Sequence, residues 1–267
     1  MPAMKYSLVS LFILFAAGLN VHSQEMVSAP APKWTKSIHL ESGLIYPKGS
    51  IKESIAIRQN ISSYFVNQSS DGEILSVTSG FQLGMKYEYF YSRFNTGISA
   101  GIRYTGYRTE ISGFSSSNAD FFYLRYSILG TDTKFARVKD ISEVNNFISI
   151  PLEIRVVPLH YRDIGLFFRA GAEFSRFNLK KDTNIDFQDT SMNSYEDNIL
   201  ENIGVTTNKN YATLYGTVGV QYGKENKANY LFEIFLPSYF ITDHNFAISE
   251  VDYLEGFKFS VQFPLKK

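Results

Sequence analysis

From Trp34 onward the chain falls into runs in which apolar and polar residues alternate strictly, as in a strand with two unlike faces. The clearest is Phe81-Gln82-Leu83-Gly84-Met85-Lys86-Tyr87-Glu88-Tyr89. It puts every aromatic and aliphatic side chain on one face and Gln82, Gly84, Lys86 and Glu88 on the other. Seven more runs obey the same rule: Ile38 to Tyr46, Phe94 to Thr105, Ile148 to Val156, Leu166 to Ser175, Thr213 to Tyr222, Tyr230 to Leu236 and Phe257 to Phe263. No helical period competes with them. Eight strands are predicted.

Short and long connections alternate along the chain. Tight polar turns fall at Ser92-Arg93, around Tyr161-Arg162-Asp163 and between Gly223 and Asn229. The other links are longer: Pro47 to Glu73, Gly113 to Asn146, Lys180 to Asn210 and Asp243 to Asp252. An antiparallel up-and-down barrel in an outer membrane has this rhythm, with short turns at the periplasmic end and longer loops outside. There is no internal repeat, low-complexity block or interdomain linker. The fold class expected is all-β, an eight-stranded antiparallel up-and-down transmembrane β-barrel.

Period two does not say which face is inside. A soluble lipocalin-like carrier would turn the apolar face inward. Two features favour the reverse. The polar face carries Gly43, Gly84, Gly97, Gly101, Gly171, Gly219 and Gly256, as a crowded narrow lumen would require. It also carries balanced charge, Glu41, Glu88, Glu153, Glu173 and Glu233 against Lys86, Arg103, Arg155, Arg169 and Lys258, which suits a paired, buried network. The apolar face has no charge in the centre of any strand, and its aromatics gather toward strand ends, where interfacial belts sit.

The start of the chain reads as an export address. A basic Lys5, an apolar run from Leu8 to Leu19 and the modest residues Val21-His22-Ser23 form a signal-peptide pattern at 1–23, with cleavage expected after Ser23. Residues 24–36 then read as a periplasmic lead and 37–267 as the barrel domain. The chain has 26 basic and 26 acidic side chains and no cysteine. No disulfide framework, Cys-ligated metal or basic nucleic-acid surface is therefore expected. The 23 Phe and 18 Tyr exceed what one soluble core of this size needs, and a lipid-facing wall would absorb them.

Two stretches carry a family resemblance. Gly80-Phe81-Gln82-Leu83-Gly84-Met85-Lys86-Tyr87 with the Phe94 to Tyr104 strand, and Ile148-Ser149-Ile150-Pro151-Leu152-Glu153-Ile154-Arg155, resemble the small outer-membrane β-barrels of Bacteroidota, the PorT-like or outer-membrane β-barrel-domain family. The resemblance runs from about Trp34 to Leu265. It implies a barrel in the outer membrane, and it allows, as an alternative function, a place in a secretion or assembly machine. One departure stands out: such barrels usually end on an aromatic residue, whereas Phe263 is followed by Pro264-Leu265-Lys266-Lys267.

Catalytic motifs are sparse. His39 lies on the polar face and reads as a lumen hydrogen-bonding group. His244, Ser249 and Glu250 offer the elements of a lipid hydrolase, but three neighbours on one loop seldom form a triad. Asp182, Asp186, Asp189, Glu196 and Asp197 lack the spacing of a calcium loop. Phe121 to Tyr126 reads as a strand extending beyond the membrane. Eight strands enclose room only for their own side chains, so no open pore is expected. The expected function is structural or interactive and not enzymatic, with no cofactor or metal. The partners expected are outer-membrane lipid, the barrel assembly machinery and a protein met through the external loops, on a monomer. A lipid-modifying barrel enzyme and a soluble carrier are the alternatives.

Overall fold

The computed structural model describes residues 34–52, 55–58, 74–113, 121–128, 132–202, 210–224, 227–242 and 246–265. The expected signal peptide with its cleavage site, and His244, lie outside the described residues. The strands are β1 (Trp34–Ile51), β2 (Ile57–Arg58), β3 (Ile74–Tyr91), β4 (Thr96–Gly113), β5 (Phe122–Ile128), β6 (Asp132–Tyr161), β7 (Ile164–Phe187), β8 (Tyr211–Tyr222), β9 (Asn229–Phe235), β10 (Tyr239–Phe240) and β11 (Ser249–Leu265). A 3₁₀ turn, Thr190–Tyr195, leads into a short helix, Glu196–Asn202.

Eight strands form a closed antiparallel ring in the order β1-β3-β4-β6-β7-β8-β9-β11, and β11 pairs back onto β1 from Lys36↔Leu265 to Ile51↔Ser249. Each contains one of the eight runs of the sequence, save that Phe94 lies just before β4 and Leu236 just after β9. The tilt of the wall follows from its register. Cross-strand partners lead from Thr96 through Val156, Phe168, Val218, Ile234, Phe257, Leu44 and Phe81 to Gly106, ten residues above the start on the same strand. A stagger of ten over eight strands gives a tilt of about 40° and a lumen that side chains fill.

Side-chain burial fixes the faces. Leu40, Leu83, Met85, Ile98, Ile102, Ile150, Leu152, Ile154, Phe232 and Ile234 point outward and are about half exposed, whereas all ten charges of the polar face point inward and are buried. Nine residues at about 3.3 Å each, tilted about 40°, make an apolar band about 23 Å tall, the height of a bilayer's hydrocarbon layer in this class of barrel. Aromatics mark both rims. Near the tight turns, the lower end, are Trp34, Tyr91 and Phe94, with ring centroids 4.5 and 5.3 Å apart in sequence order. At the upper rim Phe81 and Tyr104 lie 5.7 Å apart.

The strands run far past this band. β6 has 30 residues and β7 has 24, so much of the expected long loops is strand. Gly113 to Asn146 holds β5 and the upper half of β6, and Phe122, Leu124 and Tyr126 of β5 face inward and are buried. In these extensions most inward residues are apolar, with Thr109, Glu143 and Asn145 the buried polar exceptions in β4 and β6. Ile51, Ile57, Ile111, Leu124, Val138, Ile141, Ile185 and Phe187 pack into one core, with Ile199 of the helix and Ile248. The barrel is thus topped by a cap with a conventional hydrophobic core.

Candidate functional site

The lumen concentrates the polar chemistry of the described residues. Glu153 of β6 is its hub. Its carboxylate lies 2.5 Å from Lys86 Nζ, 3.0 Å from Arg103 Nη2, 3.3 Å from Arg169 Nε and 3.5 Å from Lys258 Nζ, and it accepts from Tyr215 OH at 2.6 Å and Ser99 Oγ at 3.2 Å. Arg103 of β4 also reaches Glu41 of β1 at 2.6 Å and pairs with Glu173 of β7. Lys86 holds the other Glu41 oxygen at 2.8 Å. Arg169 pairs with Glu233 of β9, which accepts from Thr217 Oγ1 at 2.8 Å and lies 3.4 Å from Lys258. Glu88 and Arg155 form a second group below, with Gln221 at 2.6 Å from the guanidinium. The structure therefore joins Glu41, Lys86, Arg103, Glu153, Arg169, Glu173, Glu233 and Lys258 into one cluster and sets Glu88 with Arg155 beside it.

This packing explains the inward glycines. A Cβ on Gly84 would sit 2.8 Å from the Glu41 carboxylate, and one on Gly171 would sit 2.6 Å from the Tyr215 ring. The glycines yield their volume to the network. Five acids against five bases leave this network without net charge, and each ion lies within 3.5 Å of a counter-ion, Lys258 being the most loosely held at 3.4 Å from Glu233, which is how charge tolerates burial.

Apolar layers close the network at both ends. Below, Val157, Phe167 and Leu231 pack with Phe90, and the Arg155 guanidinium lies 5.1 Å over the Phe90 ring. Above, Ile45, Tyr107, Phe147, Tyr211, Phe246 and Leu254 form an aromatic layer, with Phe147 and Tyr211 rings 4.7 Å apart and Tyr107 and Phe246 rings 5.2 Å apart. Phe246, Ala247 and Ile248 belong to a connection expected to stand outside, yet they fold into the mouth of the barrel and are buried. Glu143 holds them there. Its carboxylate accepts from Ala247 N–H at 2.7 Å and Ile248 N–H at 3.0 Å, and from Asn145 Nδ2 at 2.6 Å. Sequence reasoning missed Glu143 and Asn145. The available signal was the alternation Ile141, Glu143, Asn145, Phe147 within the supposed loop.

The remaining candidates separate. His39 meets Glu88, not Glu41: its Nε2 lies 3.5 Å from the Glu88 carboxylate and 3.3 Å from Ser37 Oγ. Both contacts use one ring nitrogen, whereas a Ser-His-acid relay engages two. Ser249 is buried and Glu250 is exposed, so the two turn to opposite sides of β11 and do not converge. Three of the acidic residues of the cap have local partners. Asp189 caps the 3₁₀ turn, accepting from Ser191 N–H at 3.0 Å; hydrogen bonding from the Ser191 side chain first and this N–H second holds its carboxyl below the usual value, and Glu196 accepts from Ile185 N–H at 2.7 Å. Asp186 lies 3.7 Å from Lys139. Among the described residues, no three His, Asp or Glu side chains converge as metal ligands would.

No family model matches the chain, and no curated protein matches it. Solved structures similar in outline include outer membrane protein W of Escherichia coli, at 11% identity over 86% of this chain and 97% of that one, with a TM-score of 0.33. OprG of Pseudomonas aeruginosa is similar at 10% identity over 85% and 95%, with a TM-score of 0.35. The translocator domain of the autotransporter NalP of Neisseria meningitidis is similar at 12% identity over 98% and 99%, with a TM-score of 0.27.

Proposed function

We propose that the chain is an integral outer-membrane barrel with a shut lumen, acting as a structural or interaction protein through its external cap. The observation that carries the reading is the inverted wall, with a neutral ion network inside and a continuous band of half-exposed aliphatic and aromatic residues outside. Water would not tolerate that exterior, and a soluble carrier would have its ligand face lined by charge. The network and its two apolar lids fill the space an ion or solute would need, which speaks for plugging and against diffusion. The cap is built of paired strands and a helix, a firm surface on which a partner protein can dock. A place in a PorT-type secretion or assembly machine draws its support from the sequence resemblance.

Expressed in a Gram-negative host, the protein should fractionate with outer membranes and run faster unheated than boiled on a denaturing gel. In planar bilayers it should show no large, stable conductance. A soluble periplasmic protein without a heat shift contradicts the membrane placement, and steady channel openings contradict the shut lumen.

A further inference from the structure

The two ends of the barrel wall carry unlike charge. At the tight-turn end Lys36, Arg93, Arg162, Lys224 and Lys227 are exposed, and among the described residues outside the lumen one carboxylate, Asp163, joins them. At the other rim Arg108 has Glu110 at 3.5 Å and Asp140 on the next strand, and Lys48 has Glu255 on the neighbouring β11. The imbalance is purest where β1, β3 and β4 meet the tight-turn end. Lys36 stands 5.4 Å over the Tyr89 ring, and Arg93 stands 5.8 Å over the Phe94 ring. Trp34, Tyr91 and Phe94 form a chain of ring contacts beside them, and Trp34, Tyr89 and Phe94 are exposed. No carboxylate pairs with Lys36 or Arg93 among the described residues. In the sequence Lys33 precedes Trp34, and Lys266-Lys267 follow Leu265, the cross-strand partner of Lys36.

A base lying on an aromatic ring at a membrane rim keeps its stem and the ring in the apolar boundary and lifts its charge to headgroup level. The wall offers that charge no anion, so the counter-ion must come from the surroundings. What adjoins an outward wall position is lipid. An acidic protein in the aqueous space would meet the turn tips before it met Lys36, which lies on the wall between Leu265 and Tyr89. A zwitterionic headgroup brings its own cation, which the lone bases repel, whereas an anionic phosphate suits both of them. We propose that this rim binds a phosphate-bearing anionic lipid of the leaflet at the tight-turn end, with Lys36 and Arg93 on the phosphate and the Trp34, Tyr91 and Phe94 rings against its upper chain. The inference rests on the membrane placement proposed above and adds a lipid class and a leaflet to it. The opposite rim, with acids among its bases, has no such preference.

Trp34 is the only tryptophan of the chain and reports on this site directly. The full-length mature protein is folded into vesicles of equal parts phosphatidylglycerol and phosphatidylcholine, with bromine on the acyl chains of one lipid or of the other. Both preparations share one surface charge, so the quenching of Trp34 measures which lipid sits beside it. Brominated phosphatidylglycerol should quench with an apparent affinity about fivefold or more above that of brominated phosphatidylcholine, one interfacial cation being worth about fivefold. Lys36→Gln combined with Arg93→Gln should at least halve that preference, whereas Lys48→Gln combined with Arg108→Gln at the other rim should leave it unchanged. Equal quenching of the wild type by both lipids overturns the proposal, as does a preference that the Lys36 and Arg93 double variant does not halve. Equal quenching together with a Trp34 emission shift on adding polyglutamate overturns it too, and assigns the rim to an acidic protein. Heat-shifted mobility reports the folding of each variant. If the wild type inserts yet shows no preference, only the lipid assignment fails; if neither lipid quenches Trp34, the membrane reading itself fails.

Discussion

β6 passes through two environments, and its side chains follow opposite rules in each. In the lower half Ile148, Ile150, Leu152 and Ile154 face out, while Ser149, Glu153 and Arg155 face in. In the upper half Val138, Ile141 and Phe147 face in, while Ser142 and Asn146 turn to the outside. Alternation is unbroken except at the bulges, one of which lies between Val138 and Asp140 and another between Asn146 and Phe147. What changes is the medium outside the wall. Where it is hydrocarbon, charges are driven into the lumen and must be matched ion for ion. Where it is water, the ordinary hydrophobic core returns. Glu143 sits at the changeover and ties the inward-folded Phe246–Ile248 segment to the wall.

This contrast is broken hardest at the hub of the lower half. Glu153→Ala leaves four buried cations short of an anion, and unfolding in lipid vesicles should lose about 3–5 kcal/mol. Glu110→Ala, on the outer face of the cap, should change stability by about 0.5 kcal/mol or less. Equal effects would mean that the lumen network is not what holds the lower barrel. Next in size are charges placed on the outer face. Ile150→Arg should cost about 2–4 kcal/mol of folding in lipid, as should Leu83→Arg. Ser142→Arg, eight residues higher on the same face of β6, should be close to neutral.

Much of this was legible in the sequence because the lower half announces itself twice, through outward apolar residues and through inward charge. The runs at 81–89 and 148–156 locate strands, name their faces and pick out Lys86, Glu88, Glu153 and Arg155 together. The cap was harder to read. Between Asp132 and Asn146 the outward face is mostly polar, like a loop, and the bulge after Val138 shifts the register, so that stretch reads as irregular. Who pairs with whom in the lumen was not legible, because that depends on the ten-residue stagger of the ring. His39 adjoins Glu41 along β1, yet the tilt brings it to Glu88.

Two smaller effects sharpen the boundary between the halves. Glu143→Gln removes a charged acceptor from two backbone N–H groups and should cost about 1–3 kcal/mol. The hydrogen exchange of Ala247 and Ile248 should accelerate more than that of Leu231 in the lower barrel. Unchanged protection would show that the segment is held by packing alone. The least effect belongs to the exterior of the cap. Asp140 is partly buried, directly opposite Asp186 and near Glu110, and burial first and these like charges second raise its carboxyl above the usual value. A raised acid favours the fold while protonated, so its contribution is complete below the unfolded carboxylate range and is lost as pH rises through the folded value. Asp140→Asn should therefore make the cap slightly more stable at pH 7 and flatten that pH dependence, as local exchange rates near Ile141 would report. The lower barrel should not respond.

The reversal of faces along β6 can be read directly, because the chain has no cysteine and each introduced one is unique. Single cysteines at Ser142, Val144, Ile148, Ile150, Leu152 and Ile154 would be challenged with a membrane-impermeant maleimide on protein folded into vesicles. Cysteines at 142 and 144 should label fast, and those at 148, 150, 152 and 154 should stay unlabelled until the lipid is dissolved. Labelling of all six at one rate would contradict a wall whose outer face passes from water into hydrocarbon.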